Sequence, residues 1–332
     1  MLKMPQELKK KMEKEGYHFV GKHSAIKTCE YTSKALRGET LCYKNTFYGI
    51  KSWQCMQSTT AIGCDLACRF CWRLIPEEEG FKWNELNAID EWDDPNDIAD
   101  GLIKEQRRLI SGYKAFANTE EKMQRWKEAN LPAHATLSLT GEPMFYPKMN
   151  ELIKVFTERG ISTFIVHNGT LPEAILALKN MPTQFYISLQ APNKELYMKV
   201  TRPKIPDAWE RFLKSLSIMK DMKTRTVLRL TLVKGLNMTD ADGYASLIKI
   251  AMPNYVEVKG FSYVGGSRNE ARELSLESMP KHEEIKAFAE ELASKISYKI
   301  SAEHRLSRVV LLCRDEDSER NRIIDFSKIG KG

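Results

Sequence analysis

Ser58-Thr-Thr-Ala-Ile62-Gly-Cys64-Asp-Leu-Ala-Cys68-Arg-Phe-Cys71 joins a short β-branched, apolar run to a loop bearing three closely spaced cysteines. Its first five residues, Ser58–Ile62, read as a strand. Runs of the same kind recur at Ala135–Thr140, Thr163–His167, Phe185–Leu189, Thr226–Val233 and Tyr255–Tyr263. Helical patterns lie between most of them. Trp209, Phe212, Leu213 and Leu216 fall at i, i+3, i+4 and i+7, and so do Ile285, Phe288, Ala289 and Leu292. Asp94, Pro95 and Asp97 form an N-cap, N1 and N3 set that predicts a helix over 95–111, and a second helix is expected over 119–129. Strands alternating with helices imply an α/β fold with parallel strands joined by right-handed crossovers. An open doubly wound sheet and a full or partial (β/α) barrel satisfy that pattern equally.

Upstream, residues 1–56 suggest a lysine-rich helix near 5–15 and then loop-like sequence punctuated by cysteines. Arg308–Cys313 is expected to add an edge strand. The expected organisation is an N-terminal extension over 1–56 and a catalytic unit over 57–332, with an insertion at about 77–134. An insertion of that length inside a compact domain usually covers a substrate or carries function.

Composition bounds the partners. Of 332 residues, 42% are hydrophobic and 29% charged, as in ordinary soluble domains. No apolar run approaches the roughly 20 residues of a membrane span. Met1-Leu-Lys-Met-Pro-Gln-Glu-Leu8 lacks the apolar core of a signal peptide, so a cytoplasmic protein without a membrane partner is expected. The net charge of +7 is unevenly spread: residues 1–60 hold 11 Lys/Arg against 5 Glu, whereas 77–97 hold nine acidic residues and one Lys. That asymmetry fits either a polyanionic partner approached from one side or a solvated basic surface.

Seven cysteines, an odd number, argue against a disulfide framework. Cys313, inside the apolar run Val309–Cys313, reads as core. Cys64, Cys68 and Cys71 form a C-x3-C-x2-C loop. Thiolates ligate iron–sulfur clusters, and a [4Fe–4S] cube takes four ligands. Three local thiolates leave one iron open, as radical S-adenosylmethionine (SAM) chemistry requires. Zinc, the alternative, favours paired C-x2-C or Cys/His sets, and no His lies between Cys29 and His134. Cys29, Cys42 and Cys55, twelve residues apart, make a second triplet, read either as a second cluster or as buried thiols. Thr140-Gly141-Glu142-Pro143 ends the second strand with a glycine turn and a carboxylate that suit the SAM ammonium, and Asn168 ends the third similarly. Ser188 and Arg229, near the ends of later strands, are weaker candidates for the same pocket.

The paired triplets, together with LSLTGEP (137–143), HNGTLP (167–172), SLQAPN (188–193) and VGGSR (264–268), resemble the archaeal tRNA 4-demethylwyosine synthases from about Cys29 to His304. His167 stands where Thr is expected, and Gln190 where Asp is expected. The resemblance implies a partial (β/α)6 TIM-type barrel, the radical SAM fold, with a cysteine-bearing N-terminal extension. It implies SAM and two [4Fe–4S] clusters, one on Cys64, Cys68 and Cys71 and an auxiliary one on Cys29, Cys42 and Cys55. Thr140, Gly141, Glu142, Asn168 and Ser188 would bind SAM. The reaction implied begins when a 5′-deoxyadenosyl radical takes hydrogen from the methyl group of N1-methylguanosine at position 37 of tRNA-Phe. The carbon radical then adds to pyruvate, two of whose carbons close the new ring. The flavodoxin domain of eukaryotic relatives is missing, which implies a separate flavodoxin- or ferredoxin-like electron donor; a monomer is expected.

Lys44, two residues after Cys42 and among Tyr43, Phe47, Tyr48 and Trp53, suits a Schiff base to pyruvate, because burial favours the neutral amine. A surface lysine on tRNA phosphate is the competing role. Lysines 9–11, 22, 27, 34 and 51 are further phosphate candidates. Two other functions remain open at this point: a radical SAM enzyme with an auxiliary cluster that modifies a peptide or small molecule, and a non-catalytic zinc or iron–sulfur RNA-binding protein.

Overall fold

The computed structural model describes residues 5–330. Residues 1–4 and 331–332, on which parts of the leader reading and of the 57–332 unit fall, lie outside the described residues. One ten-stranded sheet runs through the molecule: β1 (His18–Val20), β2 (Ser24–Ile26), β3 (Cys55–Thr59), β4 (His134–Leu137), β5 (Ser162–His167), β6 (Gln184–Leu189), β7 (Arg225–Leu232), β8 (Tyr255–Gly260), β9 (Lys299–His304) and β10 (Val309–Cys313). Its order is β1-β2-β3-β4-β5-β6-β7-β8-β10-β9. β3 to β8 are successively parallel, while β1, β2, β9 and β10 pair antiparallel at the two ends. Six parallel strands with two antiparallel flanks make the partial barrel. Among the described residues no helix is long and apolar enough to cross a membrane.

Period-two alternation sorts the strand residues. Ile165, Phe185, Ile187, Leu189, Leu228, Leu230, Leu232, Val256 and Val258 face the outer helices in the main core. Phe164, Tyr186, Val227, Tyr255, Val309, Leu311 and Cys313 face the lumen. Cys313 is therefore core, as its apolar context indicates. The helices Pro95–Ile110, Met149–Glu158, Ala208–Met219, Ala241–Ala251 and His282–Ile296 cover the outside. Asp94 caps the first of these, accepting from Asn96 N, with Pro95 at N1, and Glu120–Ala129 forms beside it.

Two expectations are corrected. The first strand occupies Cys55–Thr59 and not Ser58–Ile62. Thr59 Oγ1 donates to Ala61 O and Thr140 O, which turns residues 60–63 out of the ladder and into the loop beneath the cysteines. The loop-like reading of 16–56 is also overturned. Besides α1 (Gln6–Lys14), this segment holds the β1–β2 hairpin, α2 (Glu30–Arg37) and α3 (Tyr43–Tyr48). Three-residue strands and helices of eight and six residues are too short to display a period in sequence. Both helices stop at glycines in the left-handed region, Gly38 (φ 78°) and Gly49 (φ 79°), which close them without a Cβ penalty.

α3 fills the N-terminal end of the barrel. Tyr43, Phe47 and Tyr48 pack on Phe164, Tyr186, Val227 and Tyr255. The chain's last described segment holds it there: Arg322 donates to Thr46 O and Phe47 O, and Ile324 N donates to Tyr48 O.

Candidate functional site

The first cysteine loop sits at the C-terminal ends of the strands, where barrel folds present their chemistry. It is stitched at both edges. Ala67 N and Arg69 N donate to Thr201 O and Val200 O, Lys204 N donates to Asp65 O, and the buried Arg272 donates to Cys71 O and Arg73 O while pairing with Glu78 at 2.8 Å. Burial pushes the Cys64 thiol well up, helped by Asp65 and Glu142, and burial and then Cys71 push Cys68 up. Such thiols ionise only with a cation to bind.

Below the loop lies a buried polar network. Thr60 Oγ1 donates to Pro143 O, and Glu142 N to Gly63 O, so the Gly141 turn supports the cysteine loop from beneath. Gly141 has φ +64°, and a Cβ there would run into Ala61 O and Ile62. Glu142, 1% exposed, turns its carboxylate inward: Oε1 accepts from Met144 N and Oε2 from Asn168 N, and His167 Nδ1 lies 2.9 Å from Oε1. Asn168 Nδ2 donates to Asp65 Oδ1 at 2.7 Å and lies 3.7 Å from Cys64 Sγ, while its Oδ1 accepts from Thr170. Burial raises the Asp65 carboxyl. Glu142 and Asn168 thus spend their side-chain bonds on the loop's foundation, and Ser188 of β6 is part-buried. Gln190 is held through its carbonyl by Asn237 Nδ2.

The second triplet is gathered from three elements, as its spacing demands. Cys29 and Cys42 are the N-cap residues of α2 and α3, and Cys55 opens β3. Helix N-termini favour thiolates. Burial, then Cys29 and more weakly Cys55, push the Cys42 thiol up to about 12, so the three sulfurs bear on one another.

Lys44 projects from α3 into the lumen. It is 9% exposed, with Nζ 5.2 Å from the Tyr186 ring centre and 5.8 Å from that of Phe164. Burial and then Arg229 lower its pKa, while Cys55, Glu257 and Cys42 oppose them. A surface role on phosphate is therefore excluded for this amine. Beside it, the Glu257 carboxylate accepts from Arg229 Nε (2.7 Å), Tyr43 Oη (3.0 Å) and Tyr48 Oη (2.9 Å). Lys259, two residues along β8, is brought down to about 8 by burial and then by Arg229 and Arg308.

Arg73, Asp65, Tyr197, Glu257 and Lys259 escaped the sequence reading. For the last two a signal was present: Glu257 and Lys259 in Tyr-Val-Glu-Val-Lys, beside Arg225 and Arg229, put charge at period two inside parallel strands. The phosphate candidates fare differently. Lys11 pairs with Glu79, Lys22 with Glu91, Lys34 with Glu30 and Lys51 with Glu128, so the acidic insert neutralises part of the basic N-terminal segment.

Two all-sulfur sets suit iron–sulfur clusters. Among the described residues no group of His, Cys, Asp and Glu is arranged to hold a single metal ion. Buried polar atoms without partners flank the sulfurs: Tyr197 Oη, whose hydroxyl senses Cys68, Asp65 and Cys64, and Arg73 Nη1, whose guanidinium senses Cys71 and Cys29. The residues present fit such clusters.

The radical SAM superfamily profile matches residues 59–248, and the wyosine base formation profile matches 250–314. An S-adenosyl-L-methionine-dependent tRNA 4-demethylwyosine synthase of Pyrococcus horikoshii is 45% identical over 318 residues, covering 94% of this chain and 90% of the relative. Its counterpart in Oryza sativa subsp. japonica is 41% identical over 307 residues, covering 91% of this chain and 45% of the longer relative. A structure of TYW1 with a lysine–pyruvate adduct bound superposes with a TM-score of 0.81 at 33% identity, over 97% of this chain and 99% of that one. The crystal structure of archaeal TYW1 gives 0.75 at 31% identity, with the same coverage.

Proposed function

The chain belongs to the S-adenosyl-L-methionine-dependent tRNA 4-demethylwyosine synthase family, and from that premise we propose that it joins two carbons of pyruvate to N1-methylguanosine-37 of tRNA-Phe. The observation that carries this reading is Lys44: a buried amine with a lowered pKa, beside a cysteine triplet and inside the barrel. A related structure holds pyruvate on a lysine.

In this reading Cys64, Cys68 and Cys71 hold a [4Fe–4S] cluster, and Cys29, Cys42 and Cys55 hold an auxiliary one. The first cluster, when bound, supplies the electron that splits SAM to a 5′-deoxyadenosyl radical. Residues 1–56 are the extension with the auxiliary ligands, and 57–332 the catalytic unit. Thr140, Gly141, Glu142, Asn168 and Ser188 form the SAM wall. Because Glu142 and Asn168 bond inward, the SAM ammonium falls to the turn's backbone carbonyls and Ser188 to the more exposed groups of SAM.

The neutral Lys44 amine attacks the pyruvate ketone; both its transferable protons leave with the carbonyl oxygen as water, and a C=N bond remains. Arg229 Nη2, buried and without a partner, suits the pyruvate carboxylate. The tRNA base must leave its stack to reach the lumen. A cytoplasmic monomer served by a flavodoxin- or ferredoxin-like electron donor completes the proposal.

The test is an anaerobic incubation of reconstituted protein with SAM, dithionite, pyruvate and tRNA-Phe bearing N1-methylguanosine-37, read by mass spectrometry of nucleosides and 5′-deoxyadenosine. A tricyclic nucleoside together with 5′-deoxyadenosine is expected. 5′-Deoxyadenosine with an untouched nucleoside would refute the substrate. Neither product from iron-loaded protein would refute the chemistry.

A further inference from the structure

Resting on the tRNA reading above, we propose that the loop after β8, together with Trp72, Arg268 and Arg308, is the track for the single-stranded part of the anticodon loop. Trp72 stacks a base next to the one that enters the lumen, and the two arginines hold phosphates.

Residues 261–268 leave β8 at the C-terminal rim of the barrel, the rim that also carries the cysteine loop. The two loops are fastened together, since Gly266 N donates to Trp72 O at 2.8 Å. A Cβ at Gly265 would come within 2.5 Å of Trp72 O and lie 3.9 Å from Cε3 of the indole, so glycine is what lets the ring lie against the loop. Trp72 is 42% exposed, and Val264, beside Gly265, is exposed to the same extent. One face of the indole is taken: Arg73 Cζ stands 3.1 Å from the ring centre. Arg73 is itself buried, bonds Ser138 O through Nη2 and pairs with no carboxylate among the described residues, so its charge stays behind the ring. The exposed part of the indole is therefore its other face and edge, a platform fixed from behind by a cation.

The cations of this rim divide into two kinds. Arg69 pairs with Glu273, and Arg202 and Arg272 pair with Glu78. Arg268 and Arg308 have no carboxylate partner among the described residues. Arg268 is exposed, and its Nε donates to Tyr263 O. Arg308 is part-buried; its Nη2 donates to Ser262 Oγ at 2.8 Å and to Phe261 O, and its Nε meets no acceptor. Both guanidiniums and the indole are thus fastened to positions 261–266 of one loop, a reach of at most about 20 Å, which a few unstacked nucleotides span. A single strand needs cations for its phosphates and aromatic faces for its splayed bases. Extruding base 37 leaves its neighbours unstacked at the mouth of the lumen, where this rim lies. An acidic electron-donor protein would answer the arginines but not the aromatic platform; RNA answers both.

The experiment is fluorescence anisotropy of labelled tRNA-Phe bearing N1-methylguanosine-37 on the anaerobically reconstituted full chain, at several salt concentrations. Trp72→Ala should weaken binding at least about fivefold, the lower end of base–aromatic stacking for one base, and leave the salt slope unchanged. Trp72→Phe, which keeps a ring, should lose less. Arg268→Gln should lower the slope of log affinity against log salt by about 0.7, the share of one single-stranded phosphate, and adding Arg308→Gln should lower it by about as much again. Unchanged affinity in Trp72→Ala, an equal loss in Trp72→Phe, or an unchanged slope at either arginine overturns the proposal. Unchanged tRNA affinity with slower reduction by flavodoxin in Trp72→Ala also overturns it and gives the surface to the donor protein. If Trp72→Ala does not hold iron, the exposed Arg268 decides through its slope. A wild type that does not bind the tRNA at all overturns the substrate reading, and this surface with it.

Discussion

Replacing Glu257 by Gln should destabilise the protein by about 3–5 kcal/mol, the range for breaking a buried ion pair from one side. Glu257 is fully buried and serves three donors, Arg229, Tyr43 and Tyr48. The amide keeps the shape and one acceptor oxygen but leaves the Arg229 guanidinium without its counter-charge. Removing both charges in Glu257→Gln/Arg229→Met should recover about 2 kcal/mol of the loss, because the orphaned cation goes too. Anaerobic urea denaturation, followed by tryptophan fluorescence, reads both; with m near 3–4 kcal/mol/M for a chain of this size, the single variant should unfold about 1 M earlier. A second readout follows from sign. Glu257 raises the pKa of both Lys44 and Lys259, so its removal lowers both, and the pH of half-maximal borohydride trapping of pyruvate should fall. A single variant within about 1 kcal/mol of the parent, or a double variant that costs the sum of the singles, would refute the buried-pair reasoning.

Three further outcomes are expected. Lys44→Met should abolish borohydride-trapped pyruvate, whereas Lys259→Met should leave the adduct on the peptide containing Lys44; peptide mass spectrometry distinguishes the two amines. Gly141→Ala should cost more than about 3 kcal/mol, seen as a lower thermal midpoint or insoluble protein, since its Cβ meets backbone at a positive φ. His23 is held neutral, with Nδ1 donating to Thr60 O at 2.6 Å and Nε2 accepting from Asp93 N at 3.1 Å, and burial lowers its pKa. The unfolded chain then binds the extra proton first, so this contribution is complete above about pH 6.5 and declines as pH falls below it. The thermal midpoint of His23→Gln should therefore depend less on acid than that of the parent; equal slopes would exclude the role.

The barrel was readable because its strands and helices are long enough to show their periods. The seven predicted strands from Ser58 to Cys313 all correspond to strands, displaced by up to three residues where turn chemistry wins. The hairpin of β1 and β2 and the six-residue α3 carry too little sequence for that. The cysteines were legible as sets, since thiols spaced so closely have few other reasons to gather. What spacing could not reveal was that Glu142 and Asn168 turn inward: both outcomes satisfy a G-E-P turn, and only the packing of Asp65 and Cys64 against them chooses. Arg73 was invisible for a related reason. A lone arginine in sequence says nothing about the lack of a carboxylate near it in space.

The plug formed by α3 has a consequence for biosynthesis. Its carbonyls at Thr46 and Phe47 are held by Arg322, 276 and 275 positions later in the chain. A ribosome releases the helix about 275 residues before its clamp, so α3 must wait, with its aromatic face unsheltered, while the barrel strands emerge. Contacts of such separation slow folding and lengthen exposure to aggregation. The lumen therefore acquires its floor only after the six parallel strands and Arg322 have all left the ribosome.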